Sequence, residues 1–157
     1  MTRYYTGVGS RETPRSICVE LTRIARVLRG KDYTLRSGGA QGADEAFGAG
    51  AGRDRVTYRP VGVPTWAFEE AAKYIPADRC SFASMGLFAR KLLARDMLQV
   101  LGRDGNEPSL FLVCWTPLGI DDGGTGYAIR CAKAHGVPVY NLNNETDSEV
   151  FYQRLGE

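Results

Sequence analysis

Three short stretches pair glycine with groups that bind anions: "GVGSR" at residues 7 to 11, "SGGAQGAD" at 37 to 44 and "DDGGTG" at 121 to 126. In the second, Gly38, Gly39 and Gly42 can take positive φ and let a ligand approach the backbone with no Cβ in the way. A helix opening near Ala40 would then aim unpaired N–H groups and its positive dipole end at the same space, an arrangement that suits phosphate. The third repeats the construction with Gly123, Gly124 and Gly126 ahead of another helix, where Thr125 offers a hydroxyl to an anion or a ribose. The first adds Gly7, Gly9, the Ser10 hydroxyl and the Arg11 guanidinium, each able to meet phosphate oxygens. Together the three stretches describe a nucleotide-sized pocket.

Other chemistries find less support. Neither GxxxxGK[ST] nor a GxGxxG followed by an acidic residue at the next strand end is present, which removes the main support for an ATPase or an ordinary dinucleotide-dependent dehydrogenase. Asp121 and Asp122 read as a solvated turn, although such a pair could take Mg²⁺ or ribose hydroxyls. With His135 as the only histidine there is no two-histidine metal site, no metal ligand set is expected, and His135 suits a helix C-terminus. Cys18, Cys80, Cys114 and Cys131 have no CxxC spacing and read as reduced packing residues. The 157 residues carry a net charge of +2, so no global field demands nucleic acid or an anionic membrane, and any anion site must be local. The N-terminus lacks a signal-like apolar region and no apolar run approaches the ~20 residues of a membrane span, so a cytoplasmic protein with no membrane partner is expected.

Residues of this kind need a frame. Five β-rich runs (3 to 8, 32 to 37, 55 to 61, 109 to 115 and 137 to 142) alternate with helical patterns in the order β-α-β-α-β-α-α-β-α-β-α, the last helix being "DSEVFYQRLG". Alternation of this type implies βαβ units with right-handed crossovers and a parallel sheet covered on both faces, an α/β doubly wound three-layer sandwich. Residues 1 to 157 are expected to form one domain. Ligands of such sheets bind beyond the carboxyl ends of the strands, which is where all three glycine stretches fall. Trp115 and Thr116 close the fourth strand at that edge, with Trp115 able to stack on a base. Trp66 and Phe68 lie after the third strand, where packing of an amphipathic helix is the expected role.

"TGVGSR", "LRSGGAQGADEAF", "ARDMLQVLG" and "SLFLVCW…GGTGYAIRCAKAHGVPVYNL" resemble the SLOG superfamily of Rossmann-like domains, which includes DNA-processing protein A (Smf) and the lonely-guy proteins. The resemblance spans roughly residues 3 to 142. It implies a five-strand parallel sheet of order 3-2-1-4-5 and a nucleotide or nucleotide-like ligand lined by Gly9, Ser10, Arg11, Ser37, Gly38, Gly39, Ala40, Gly42, Asp44, Arg95 and Gly123 to Gly126. Arg95 occupies the place of a family arginine near the site; the plain alternative is a solvated face shared with Lys91. By the same resemblance, the ligand is sensed, sequestered or processed, with nucleotide signalling or phage-host defence as settings and a host cytoplasm if the protein is viral.

Departures from the family pattern bear on mechanism. The lonely-guy hydrolases carry PGGxGTxxE, and Arg130 stands here where the glutamate would be. An arginine cannot act as a general base, so N-glycosidic hydrolysis would need Glu12, Asp44 or Asp122, and no catalytic set is assigned. Single-stranded DNA binding of the DNA-processing protein A type would draw on Arg53, Arg55, Arg59, Arg90, Lys91 and Arg95, without a basic block or aromatic interleaving. Pairing of two copies through helices is a further expectation, since "GLFARKLLARDMLQVLG" has apolar residues on more than one side.

Overall fold

A computed structural model describes residues 1–76, 81–121 and 123–157. Cys80 and Asp122, which carry two of the readings above, lie outside the described residues. The chain forms β1 (Arg3–Gly9), α1 (Arg15–Gly30), β2 (Tyr33–Ser37), α2 (Ala43–Ala51), β3 (Arg55–Thr57), α3 (Thr65–Ala72), α4 (Leu87–Leu101), β4 (Leu112–Trp115), α5 (Gly123–Ala134), β5 (Val139–Asn141) and α6 (Glu145–Leu155). The strands make one parallel sheet in the order β3-β2-β1-β4-β5. The expected α/β Rossmann-like architecture is the observed one.

The two faces of the sheet are covered by different helices because the apolar stripes select them. Leu21, Ile24, Ala25 and Leu28 of α1 pack with Ala43, Ala46, Phe47 and Ala51 of α2 and with Phe151 and Leu155 of α6 on one face. On the other, Leu93, Ala94, Met97, Leu98 and Leu101 of α4 pack with Ala67 and Ala71 of α3 and with Ala128, Ile129 and Ala132 of α5. Helix α4 is therefore flanked by α3 and α5 as well as by the sheet. That placement accounts for the apolar residues from Leu93 onward, while Leu87 and Phe88 in its first turn stay exposed. All four residues of β4 are buried, as a central strand in a parallel sheet requires.

Element boundaries differ from the sequence reading where backbone chemistry intervenes. Strand β3 has three residues instead of seven, because after Tyr58 N–H donates to Ser37 O the chain meets Pro60, which has no N–H to offer. Strand β5 likewise begins only after Pro138. Helix α6 starts two residues earlier than expected, since Asn144 Oδ1 accepts from Asp147 N–H at 2.9 Å and caps it. A 3₁₀ turn at Phe82–Ser84 was not anticipated.

Arg36 of β2 is fully buried, its guanidinium carbon 3.9 Å from the centre of the Tyr4 ring. Its Nη1 donates to Glu107 O at 2.7 Å and Ser109 Oγ at 3.2 Å, fastening the loop that runs from Gly102 to Ser109. Trp66 closes the same loop from outside, with Nε1 donating to Arg103 O at 3.2 Å and its ring against Gly105. Trp66 and Phe68 thus pack against the core, as the amphipathic reading of α3 expects.

Candidate functional site

Between β1 and β4 the strand order reverses, and the loops that leave these strands diverge to open a crevice at their carboxyl ends. A cleft of about 500 Å³ lies there. It is lined by Gly9, Ser10, Arg11, Ala40, Asp44, Arg95, Thr116, Gly123, Gly124 and Thr125, all residues singled out from the sequence. Ser37, Gly38, Gly39, Gly42, Trp115 and Gly126 are not part of its lining. These stand behind the surface and shape it.

Gly42 shows how. Its φ is +84°, and a Cβ there would stand 2.7 Å from Ser10 O and 2.9 Å from Arg11 Cα. The first loop can therefore lie directly on the start of α2, where Ser10 O accepts from Ala43 N–H at 3.4 Å and Thr13 N–H at 3.3 Å. The non-helical conformation of Gly42 also moves the start of α2 from the expected Ala40 to Ala43. Gly9 permits a second close approach, since a Cβ would meet Ala43 Cβ at 2.6 Å and Trp115 O at 2.9 Å.

The second loop is already occupied by an anion of the protein's own. Asp44 Oδ2 accepts from Gly38 N–H at 3.2 Å and Ala40 N–H at 3.3 Å. The N–H groups expected to face a phosphate thus face a buried carboxylate, 6% exposed. Burial pushes the Asp44 carboxyl up to about 6, against the lowering effect of those N–H groups and of Arg95.

Arg95 is 8% exposed, so the solvated-face alternative does not hold. Its Nη1 donates to Gly38 O and to Tyr58 O, both at 3.1 Å, and its Nε lies 3.2 Å from Asp96 Oδ1. With its amide oxygen turned toward these donors, Gln99 accepts from Arg95 Nε at 3.0 Å and Gly38 N–H at 3.2 Å. Arg95 lines the cleft, and its known bonds fasten the second loop to α4. Asp96 and Gln99, neither anticipated as a site residue, also line the cleft. Burial pushes the Asp96 carboxyl up to about 7, opposed by Arg95 and reinforced by Asp44.

Arg11 differs from Arg95. It is exposed at the cleft wall and engages no hydrogen-bond or ion-pair partner among the described residues. Beside it, Ser10 Oγ accepts from Glu12 N–H at 2.9 Å, which leaves the Ser10 hydroxyl proton available. Glu12 reaches the same wall. Across the cleft Thr116 is 1% exposed, and its hydroxyl donates to Ile120 O at 2.8 Å while accepting from Asn141 Nδ2 at 2.7 Å. Thr116 therefore holds the β4 loop in shape. Trp115 is 8% exposed and its ring is not offered to the cleft for stacking.

Arg130 does not line the cleft. Its Nε donates to Tyr74 O at 3.1 Å and its Nη1 to Asp121 O at 3.0 Å, and it tethers α5 to its neighbours. Asp121 is an exposed turn residue, as read from the sequence. Of the basic residues considered for DNA, Arg53, Arg55 and Arg59 are exposed around β3, Arg90 and Lys91 are half-buried on α4, and Arg95 is buried.

His135 follows α5 directly, at the expected helix end, and its Nε2 lies 2.9 Å from Glu70 Oε2. Glu70, Cys131 and His135 place three metal-ligating atoms within 4.8 Å of one another. The Glu70 oxygens are already engaged: Oε1 by Lys73 Nζ at 3.1 Å and Oε2 by the Tyr74 hydroxyl at 2.5 Å as well as by His135. The trio ties α3 to the end of α5. Cys114 and Cys131 are buried and Cys18 half-buried, all three with free thiols.

No family model and no curated protein matches the chain. A solved structure of DNA processing protein A from Helicobacter pylori, described for its single-stranded DNA binding mode, is similar to it. The TM-score is 0.59 at 18% sequence identity, over 89% of this chain and 64% of that one. The chain thus spans less than two thirds of the length of that protein. What the two share is a Rossmann-like fold, the class that the sheet order and flanking helices define. Among the described residues no helix is long and apolar enough to cross a membrane.

Proposed function

We propose that the cleft at the carboxyl ends of β1 and β4 binds a nucleotide or a nucleotide-derived signal, which the protein senses or sequesters. The observation that carries this reading is Arg11: an unpaired guanidinium set beside the Ser10 hydroxyl in a cleft whose other lining includes Gly123, Gly124 and Thr125 at the opening turn of α5. A guanidinium, a hydroxyl and the first turn of a helix are the groups that phosphate oxygens accept from. A cleft of about 500 Å³ is of the size that small-molecule ligands fill. Because Asp44 already occupies the Gly38 and Ala40 N–H groups of the second loop, the phosphate is assigned to the first and third loops.

Isothermal titration against mono-, di- and cyclic nucleotides and ADP-ribose derivatives tests this reading. Binding of at least one class is expected, weakened on the order of tenfold or more by Arg11→Ala, the usual scale for losing a charge-assisted bond. Absence of binding across the panel, or binding indifferent to Arg11→Ala, sinks it.

A second reading is supported by the similar DNA processing protein A: a module for single-stranded DNA, with Arg53, Arg55 and Arg59 exposed at the β3 edge. A gel shift whose affinity falls steeply with salt would favour it. Hydrolysis of an N-glycosidic bond is a third reading, in which Asp44 or Glu12 replaces the glutamate missing at Arg130. Release of free base from nucleoside monophosphates, followed by chromatography, would support that one.

A further inference from the structure

Residues 85, 89, 92, 96 and 99 follow one another at steps of four, three, four and three, the spacing of a single helical face. All five line the cleft: Met85 just ahead of α4, then Ala89, Leu92, Asp96 and Gln99 along it. The stripe changes character along its length. Its first part is apolar, and about 10 Å further along the axis, at the rise of the α-helix, it ends in a carboxylate and an amide.

Asp96 is held from one side only. Its Oδ1 lies 3.2 Å from Arg95 Nε, and its other carboxylate oxygen has no donor among the described residues. The side chain is 13% exposed and borders the cleft, so a ligand that fills the cleft displaces water from beside it. Asp44 contrasts with it, since its Oδ2 accepts from two backbone N–H groups. A carboxylate oxygen closed off by a ligand must receive a hydrogen bond or bear the cost of desolvation. Above about pH 7, where Asp96 is ionised, phosphate cannot supply that bond and is repelled. A hydroxyl supplies it.

We infer that Asp96 accepts a hydrogen bond from the ribose 2′-hydroxyl of the bound nucleotide, which makes the cleft select ribonucleotides over their 2′-deoxy counterparts. This rests on the nucleotide reading of the cleft. The flat apolar face of a base matches the Ala89 and Leu92 section, and the phosphate matches Arg11. The sugar, which joins base to phosphate, is the part of a nucleotide that carries hydroxyl donors to the carboxylate.

The test is isothermal titration of the intact protein with paired ribo- and 2′-deoxyribonucleoside 5′-monophosphates, for wild type, Asp96→Asn and Asp96→Ala. Thermal melts of each variant establish that it is folded. The wild type should prefer the ribonucleotide on the order of tenfold, the scale set by leaving a buried polar group unpaired. Asp96→Ala should bind the two sugars alike; if it does not fold, Asp96→Asn should at least reduce the preference. A wild type that binds both sugars equally, or an Asp96→Ala protein that keeps the preference, overturns the inference and leaves nucleotide binding intact. A change in base preference with the sugar preference unaltered overturns it too. Failure of every nucleotide to bind the wild type refutes the nucleotide reading itself, and this inference with it.

Discussion

Asp44, Arg95 and Asp96 form a charged patch almost closed to water, and its titration should be visible in stability. Burial is the largest cause in both carboxyls, pushing Asp44 up to about 6 and Asp96 up to about 7. A carboxyl whose folded pKa lies above its unfolded value binds more protons in the folded state, so stability is lost as pH rises from the unfolded value to the folded one. Urea unfolding should therefore show a decline between about pH 4 and 7 from these two sites. Asp96→Asn should flatten that decline and gain on the order of 3 kcal/mol at pH 8, from a shift of about three pKa units discounted for relaxation. A variant less stable than wild type at pH 8 would contradict the assignment. Asp96 is legible in the sequence as the one acid on a stripe that begins Met85, Ala89, Leu92. The destination of Arg95 was not readable, because the carbonyls it binds belong to Gly38 and Tyr58, brought close only by the fold.

Loops and helix ends respond to different chemistry, and two substitutions separate them. Gly42→Ala places a side chain at φ +84° and drives it against Ser10 O and Arg11 Cα. Left-handed strain and the backbone clash together should cost about 2 to 4 kcal/mol in chemical denaturation, and ligand affinity should fall because the Arg11 loop is displaced. Asn144→Ala removes the cap of α6, a side chain that among the described residues bonds only Asp147 N–H, and should cost about 1 kcal/mol with ligand affinity little changed. If both variants lose affinity equally, the first loop is not what Gly42 positions. Helix and strand order were legible because each apolar run has its own period and most end in glycine or proline. The strand limits were less so, since Pro60 and Pro138 offer the sheet no N–H while the side-chain pattern runs through them. The second loop differs in detail: "SGGAQGAD" carries its own anion in Asp44, and the sequence alone does not say whether an acid in a helix's first turn faces solvent or folds back.

At the scale of the whole molecule, the sheet order places the reversal between β1 and β4, and the cleft follows from that topology. A ligand bound there joins the helices of one face to the loops of both central strands. It should raise the melting temperature by mass action, with the rise growing as ligand concentration exceeds Kd. Single-stranded DNA bound along Arg53, Arg55 and Arg59 would behave differently, losing affinity steeply with salt and leaving the cleft residues untouched. Nuclear magnetic resonance separates the two most directly, by following backbone amide shifts as a ribonucleoside 5′-monophosphate is added to the intact protein. Saturable shifts concentrated at Gly9 to Glu12 and Gly124 to Gly126 are the predicted result. Absent shifts, or shifts confined to Arg53 to Arg59, would contradict the placement of a nucleotide in this cleft.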